Sequence, residues 1–447
     1  MPGRWFIVLL VPVVMGLPTL RGATPSAGDS LASDSALVLT DARVVDPDAR
    51  TIRRGTLVIR GDTIARVGGG MPDDGTGRVV DLAGQWVIPG LHDLHVHAYG
   101  NMGTNPRATR YFGPVGTARR ALRAGVTGLL DLGNAEAPIL RARSTTRADS
   151  TAASLFAAGP VFTCPNGHGT EYGVPGMART VTSPSEARDQ VDALAVKSPD
   201  VVKIIYTPES QRLPSIGRAT MHAIVDAAAS HGLKTVVHIG SWTGAEHAVA
   251  AGATALTHTP AGPVPDTLIE ALHTHGTIWI PTLAVHTSLR HWADRPAGLD
   301  DPLHQNLVSD RVLASYRDTT RYSDRMRRFS RRLQSERPRV MKAAQTLLDA
   351  GISVLAGTDA GNPGVFQGVS LHRELKLLVA AGLSPWDALA AATTRAGAFL
   401  DANTGVRVGD RADLVVLGAS PVEDIRNTRA IRHVVHDGRL VDRSPIP

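Results

Sequence analysis

Pro89-Gly90-Leu91-His92-Asp93-Leu94-His95-Val96-His97 carries three histidines and one aspartate among short apolar residues. In an extended strand, side chains two apart point to the same face. His95 and His97 therefore project together, and Asp93 shares their side. Two neutral imidazoles on one face can grip a divalent cation through one ring nitrogen each. Alone, the pair says little, because surface histidines often have this spacing. Asp93 reads better as a buried hydrogen-bonding group than as a ligand.

The residues C-terminal to this stretch decide its setting. Residues 91–400 alternate short apolar strands with amphipathic helical segments, the pattern of parallel β/α units. The strand candidates are Asp93–His97, Gly128–Leu132, Val161–Thr163, Val201–Ile205, Thr235–His238, Ala255–Thr257, Thr277–Pro281 and Ser353–Ala356. Eight such units predict a (β/α)8 TIM barrel. Ser384 caps a final helix that starts at Pro385 and continues from Trp386 to Leu400. The connection between the seventh and eighth strands is too long for one crossover. Residues 286–340 are expected to form a helical insertion over the top face, a candidate lid.

Barrel enzymes place their chemistry at the C-terminal strand ends. His238, His258 and Asp359 end candidate strands, and Lys203 lies within Val201–Ile205. Each has an ordinary reading alone: a rim histidine, a turn aspartate, a snorkelling lysine. Their joint occurrence, in chain order on separate strands, points to a shared site.

The rest of the chain narrows the chemistry. Of 447 residues, 43% are hydrophobic and 20% charged, which excludes a disordered, collagen-like or polytopic membrane protein. The only cysteine, Cys164, can form neither an internal disulfide nor a thiolate metal site. Any metal must be held by nitrogen and oxygen donors. The net charge is +6 and aromatics make up 4%, so nucleic acid is not expected as a partner. The basic crowd Arg325, Arg327, Arg328, Arg331 and Arg332 reads as a solvated helix face.

The ends carry two further signals. Met1–Arg4 is short and basic, Trp5–Leu20 is apolar but broken by Pro12 and Pro18, and small polar residues follow Arg21. This is the pattern of a secretory signal peptide, cleaved after about residues 23–27, with no stable membrane span left afterwards. The mature protein is expected to be secreted or periplasmic. Residues 36–90 and 401–447 are both rich in short strands, with hairpin signals at Gly61-Asp62 and Asp437-Gly438. Neither end can bury a core alone, so together they are expected to build one small β-sandwich.

Several stretches together resemble the amidohydrolase superfamily, metal-dependent hydrolases on a distorted (β/α)8 barrel. They are Val87-Ile88-Pro89-Gly90-Leu91 with Asp93-x-His95-x-His97, Ala124-Gly125-Val126-Thr127 with Asp131-Leu132-Gly133, and Asp200-x-x-Lys203-Ile204. Val237-His238, Thr257-His258, Ala356-Gly357-Thr358-Asp359-Ala360 and Gly409-x-x-Ala412-Asp413-Leu414-Val415-Val416-Leu417 complete the set. The resemblance covers about 36–441. It implies two divalent metal ions, usually Zn2+. His95, His97 and Asp359 would bind the more buried ion, and His238 and His258 the second. Lys203 would bridge them as N6-carboxylysine, since a carbamate offers two oxygens where an ammonium would be repelled. The implied nucleophile is a metal-bound hydroxide, with Asp359 as general base and then acid.

Within the superfamily the similarity is towards Xaa-Pro dipeptidase (prolidase)-like enzymes and their N-acyl-amino-acid relatives. Gly159-Pro160-Val161-Phe162-Thr163-Cys164-Pro165-Asn166-Gly167-His168-Gly169 resembles that group's Gly-His-Gly loop. His168 is therefore a candidate substrate contact, and Tyr206, three residues after Lys203, is another. No arginine stands out for a free α-carboxylate; Arg290, Arg321 and Arg373 are open. The expected partner is a small amide or peptide, and a homo-oligomer stays open. Two alternatives remain. One is a mononuclear-metal cyclic-amide hydrolase or deaminase with unmodified Lys203. The other is a non-catalytic binding protein.

Overall fold

A computed structural model describes residues 36–69, 77–294 and 296–444. The expected leader lies outside the described residues. Parallel strands Leu91–Val96, Val126–Asp131 and Ser154–Ala157 lie side by side. A second parallel sheet runs Val161–Thr163, Val201–Tyr206, Lys234–Ile239, Ala255–Thr257, Ile278–Ile280, with Ala178–Thr180 on its outer edge.

Two joints close these sheets into a barrel. Residues 154–163 act as one barrel strand broken in the middle: its first half pairs with Val126–Asp131 and its second with Val201–Tyr206. Gly159, at φ 76°, and Pro160, which has no N–H, interrupt the ladder. Sequence pattern alone marks only the second half, Val161–Thr163. The eighth position is a thin seam. Isolated bridges join Val354 to Trp279 and Ala360 to Val96. Leu94 N–H donates to the Ala356 carbonyl at 3.0 Å and Asp359 N–H to the His95 carbonyl at 2.7 Å. Ser353–Ala356 is thus an irregular stave, and the distortion sits where His95 meets Asp359.

Two-residue alternation sorts the strand side chains. Val201, Val236 and Ala255 share an apolar cluster with Leu130, Ile280 and Leu355. Lys203, His238 and Thr257 follow two residues later on the same faces, nearer the C-terminal ends. The opposite faces pack under the helices in a larger core that includes Val202, Ile204, Tyr206 and Val237. The expected last helix is two, Pro385–Ala392 and Thr394–Phe399, separated at Thr393. Ser384 caps the first, its hydroxyl accepting from Asp387 N–H at 3.1 Å.

Helices Leu283–Asp294, Pro302–Leu307, Asp310–Arg317 and Asp324–Asp349 fill the span between the seventh strand and the eighth stave. The last runs on through Pro338, past residue 340. Both chain ends join one mixed sheet, in which Trp86–Pro89 pairs antiparallel with Leu414–Leu417. The expected small β-sandwich is built from both chain ends in this mixed sheet, around a core of Leu39, Leu57, Ile59, Ile64, Leu414 and Val416. Its far edge returns: Ile64 N–H donates to the Asp410 carbonyl at 2.9 Å. Among the described residues no helix is long and apolar enough to cross a membrane.

Candidate metal centre

His95, His97 and Asp359 converge from the first strand and the eighth stave. Asp359 Oδ1 lies 3.2 Å from His97 Nε2 and 3.5 Å from His95 Nε2. The His258 ring is 5.0 Å from that of His95 and 4.3 Å from that of His238. The structure therefore brings His95, His97, His238, His258 and Asp359 together. Lys203 joins them: it is buried, its Nζ donates to Thr257 Oγ1 at 2.9 Å, and its charge acts on His95, His238 and His258.

The surroundings fix this geometry. His97 Nδ1 bonds the Gly133 carbonyl at 3.0 Å, which assigns the proton to Nδ1 and leaves an Nε2 lone pair towards Asp359. Buried Asp131 supports that carbonyl, accepting from Ala98 N–H at 2.7 Å and Gly133 N–H at 3.0 Å. His258 Nδ1 bonds Thr282 Oγ1 at 2.8 Å. Asp93 accepts from Thr358 N–H at 2.9 Å and Thr358 Oγ1 at 2.6 Å, so it pins the seam one residue before Asp359. His258, Thr282 and Asp359 hold left-handed backbone, at φ 80°, 51° and 59°. Such strain on non-glycine residues gathers where a site must be held in shape.

Burial pulls the imidazoles of His95, His238 and His258 well below their ordinary value, so they are neutral and carry a lone pair. His97 is opposite: burial lowers it, but the negative charge of Asp359 beside it, with that of Asp131, outweighs this and raises it. Burial brings the Lys203 amine down to about 7, against the pull of Asp359. Three buried atoms here, His95 Nδ1, His258 Nε2 and Asp359 Oδ1, have no hydrogen-bond partner. Unpaired buried polar atoms are costly, and a set of nitrogen and oxygen donors so arranged fits a divalent cation.

The Amidohydrolase family model matches residues 86–441 of this chain. The chain belongs to the Amidohydrolase family. Among solved structures, a Xaa-Pro dipeptidase with bound methionine is 20% identical, covering 91% of this amidohydrolase and 100% of that chain at a TM-score of 0.73. A candidate prolidase from Bifidobacterium longum is 27% identical, covering 92% and 96% at 0.71. The ochratoxinase of A. niger is 21% identical, covering 91% and 96% at 0.69. Uncharacterized proteins of Mycobacterium bovis and Mycobacterium tuberculosis are 37% identical over 95 residues, 21% of this chain and 14% of theirs.

The two expected substrate contacts divide. The His168 ring lies 5.2 Å from that of His238, beside the ligand cluster. Glu171 holds it: Oε1 meets His168 Nδ1 at 2.5 Å and Oε2 accepts from Gly169 N–H at 2.5 Å. Tyr206 is not brought to the centre. An odd step from Lys203 turns it to the helix side of its strand, where its hydroxyl meets His247 Nδ1 at 2.9 Å. Sequence pattern alone assigns no role to Glu171, Thr282 or His286. Glu171 leaves a trace, as an acid three residues after a loop histidine; the other two depend on where the helix after the seventh strand begins.

Proposed function

We propose that this chain is an exported amidohydrolase that cleaves an amide C–N bond in a dipeptide or N-acyl amino acid. Its cofactors would be two divalent ions, taken as Zn2+, with Lys203, carboxylated on Nζ, supplying oxygen ligands to them. The reading rests above all on one observation: four histidines and Asp359 from four staves of the barrel meet, with buried unpaired donor atoms among them.

Bound ions would lower the pKa of water to supply a nucleophile at neutral pH and polarise the scissile carbonyl. His95, His97 and Asp359 would hold one ion, and His238 and His258 the other. Lys203 suits carboxylation because its amine is partly neutral near pH 7. The amine nitrogen adds to the carbon of CO2 and loses a proton, leaving a carbamate with two oxygens. Asp359 would accept a proton from the attacking water and return it to the leaving nitrogen. His168, steadied by Glu171, would orient the substrate from the third-strand loop.

Metal analysis of the purified chain tests this reading, with an expected content near two ions per chain. Lys203→Ala should lower that content and cut the hydrolysis of dipeptides or N-acyl amino acids by at least about 100-fold. Unchanged metal content and rate in that variant would sink the proposal.

A further inference from the structure

We propose that His286, Arg325 and Arg332 form an anion-recognition wall that holds the substrate's free carboxylate, supplied by the helical insertion. This deepens the reading above and rests on it.

His286 lies in the first turn of helix Leu283–Asp294, which starts right after Thr282, the partner of His258. That start is rigid. The buried Glu374 carboxylate accepts from Leu283 N–H at 2.9 Å and Ala284 N–H at 2.6 Å, and Arg373 donates to the Ala284 carbonyl. The imidazole stands within electrostatic reach of both His258 and Asp359. Its Nδ1 is buried with no hydrogen-bond partner. A buried nitrogen left unpaired beside a reaction centre is one that a ligand atom can satisfy.

The arginines come from the next layer. Helix Asp324–Asp349 packs along helix Leu283–Asp294. Arg325 and Arg332 are seven residues apart, so they share one face of their helix. Both side chains are exposed. Arg332 acts electrostatically on His286. Arg325 acts on the Tyr172 phenol, whose ring lies 5.9 Å from that of His168. The two arginines thus act on the His286 flank and on the His168 flank of the site. Among the described residues neither arginine is committed elsewhere at hydrogen-bond distance: Arg332 Nε stands 3.9 Å from Glu336. Arg327 on the same helix is occupied, donating to the carbonyls of Thr319 and Thr320. Arg373 is half-buried and tied to Ala284, which leaves it badly placed to meet a substrate.

A guanidinium fork matches a carboxylate in shape and charge, and a neutral imidazole adds one donor. A cationic amine at the same place would be repelled. The wall therefore selects the carboxylate end of a dipeptide or N-acyl amino acid.

Matched substrates test this on the metal-loaded full chain: N-acetyl-L-leucine against N-acetyl-L-leucinamide, and Ala-Leu against its C-terminal amide. Wild type should favour the carboxylate member by about tenfold or more in kcat/KM. The double variant Arg325→Gln/Arg332→Gln should lose that preference through a raised KM, and His286→Phe should weaken it. Arg332→Lys, which keeps the charge, should retain part of it. Calorimetric binding of N-acetyl-L-leucine and its amide separates the two readings. Arginine-dependent carboxylate binding without turnover would overturn the hydrolase reading and leave the wall standing. Turnover with no carboxylate preference, or a preference that survives the double variant, would overturn the wall.

Discussion

Tyr206 illustrates how strand parity governs a single side chain. It follows Lys203 closely, yet an odd spacing sends it to the helix layer, where it is 1% exposed. Tyr206→Phe should therefore keep kcat/KM within about twofold of wild type. It should cost about 1 kcal/mol of stability for the lost bond to His247, read by denaturant unfolding. A large rise in KM with unchanged stability would return Tyr206 to the substrate pocket. The same parity makes His95, His97, Lys203 and His238 visible in the sequence, because strand ends and alternate positions can be read from residue order. Thr282, His286 and Glu171 cannot be found so. Their placement depends on where a loop turns and a helix starts, which depends on contacts remote in sequence such as Glu374 with Leu283.

The seam between the first strand and the eighth stave shows the same limit for whole elements. Apolar runs flanked by turn residues mark the regular strands, since a buried parallel strand needs just that composition. The first half of the broken strand, Ser154–Ala157, is not marked by any run pattern, and the stave that pattern marks at Ser353–Ala356 is held by isolated bridges alone. The seam depends on close approach. A Cβ on Gly357 would meet Ile280 Cγ2 at 2.5 Å and the His95 Cβ and N at 3.0 Å. Gly357→Ala should cost about 1–3 kcal/mol by overpacking. It should also shift His95 and weaken metal binding about 10- to 100-fold, measured by chelator competition. Metal affinity equal to wild type would mean that the seam does not position His95.

A buried ion pair lies in the terminal sheet beside the start of the first barrel strand, so this joint should respond to pH. Gly90 N–H, at the start of the first barrel strand, donates to the Asp413 carbonyl at 2.7 Å. The Asp413 carboxylate bonds His436 Nδ1 at 2.7 Å and Asp437 N–H at 2.9 Å, with Arg411 Nε 3.1 Å away. Burial disfavours charge on both partners, but their mutual bond wins: Asp413 is held below its usual 3.8 and His436 above its usual 6.5. The Asp413 contribution is fully present above 3.8 and is lost as pH falls through its lowered folded value. The His436 contribution is fully present below 6.5 and is lost as pH rises through its raised folded value. Both act together between those limits, so the pair stabilises the joint most in mildly acidic solution. His436→Gln should cost roughly 3 kcal/mol at pH 5.5, by stranding a buried carboxylate, and clearly less at pH 9. Thermal unfolding of the metal-free chain at the two pH values reads this difference. An equal loss of Tm at both would show that His436 supports the joint by packing alone, not by charge.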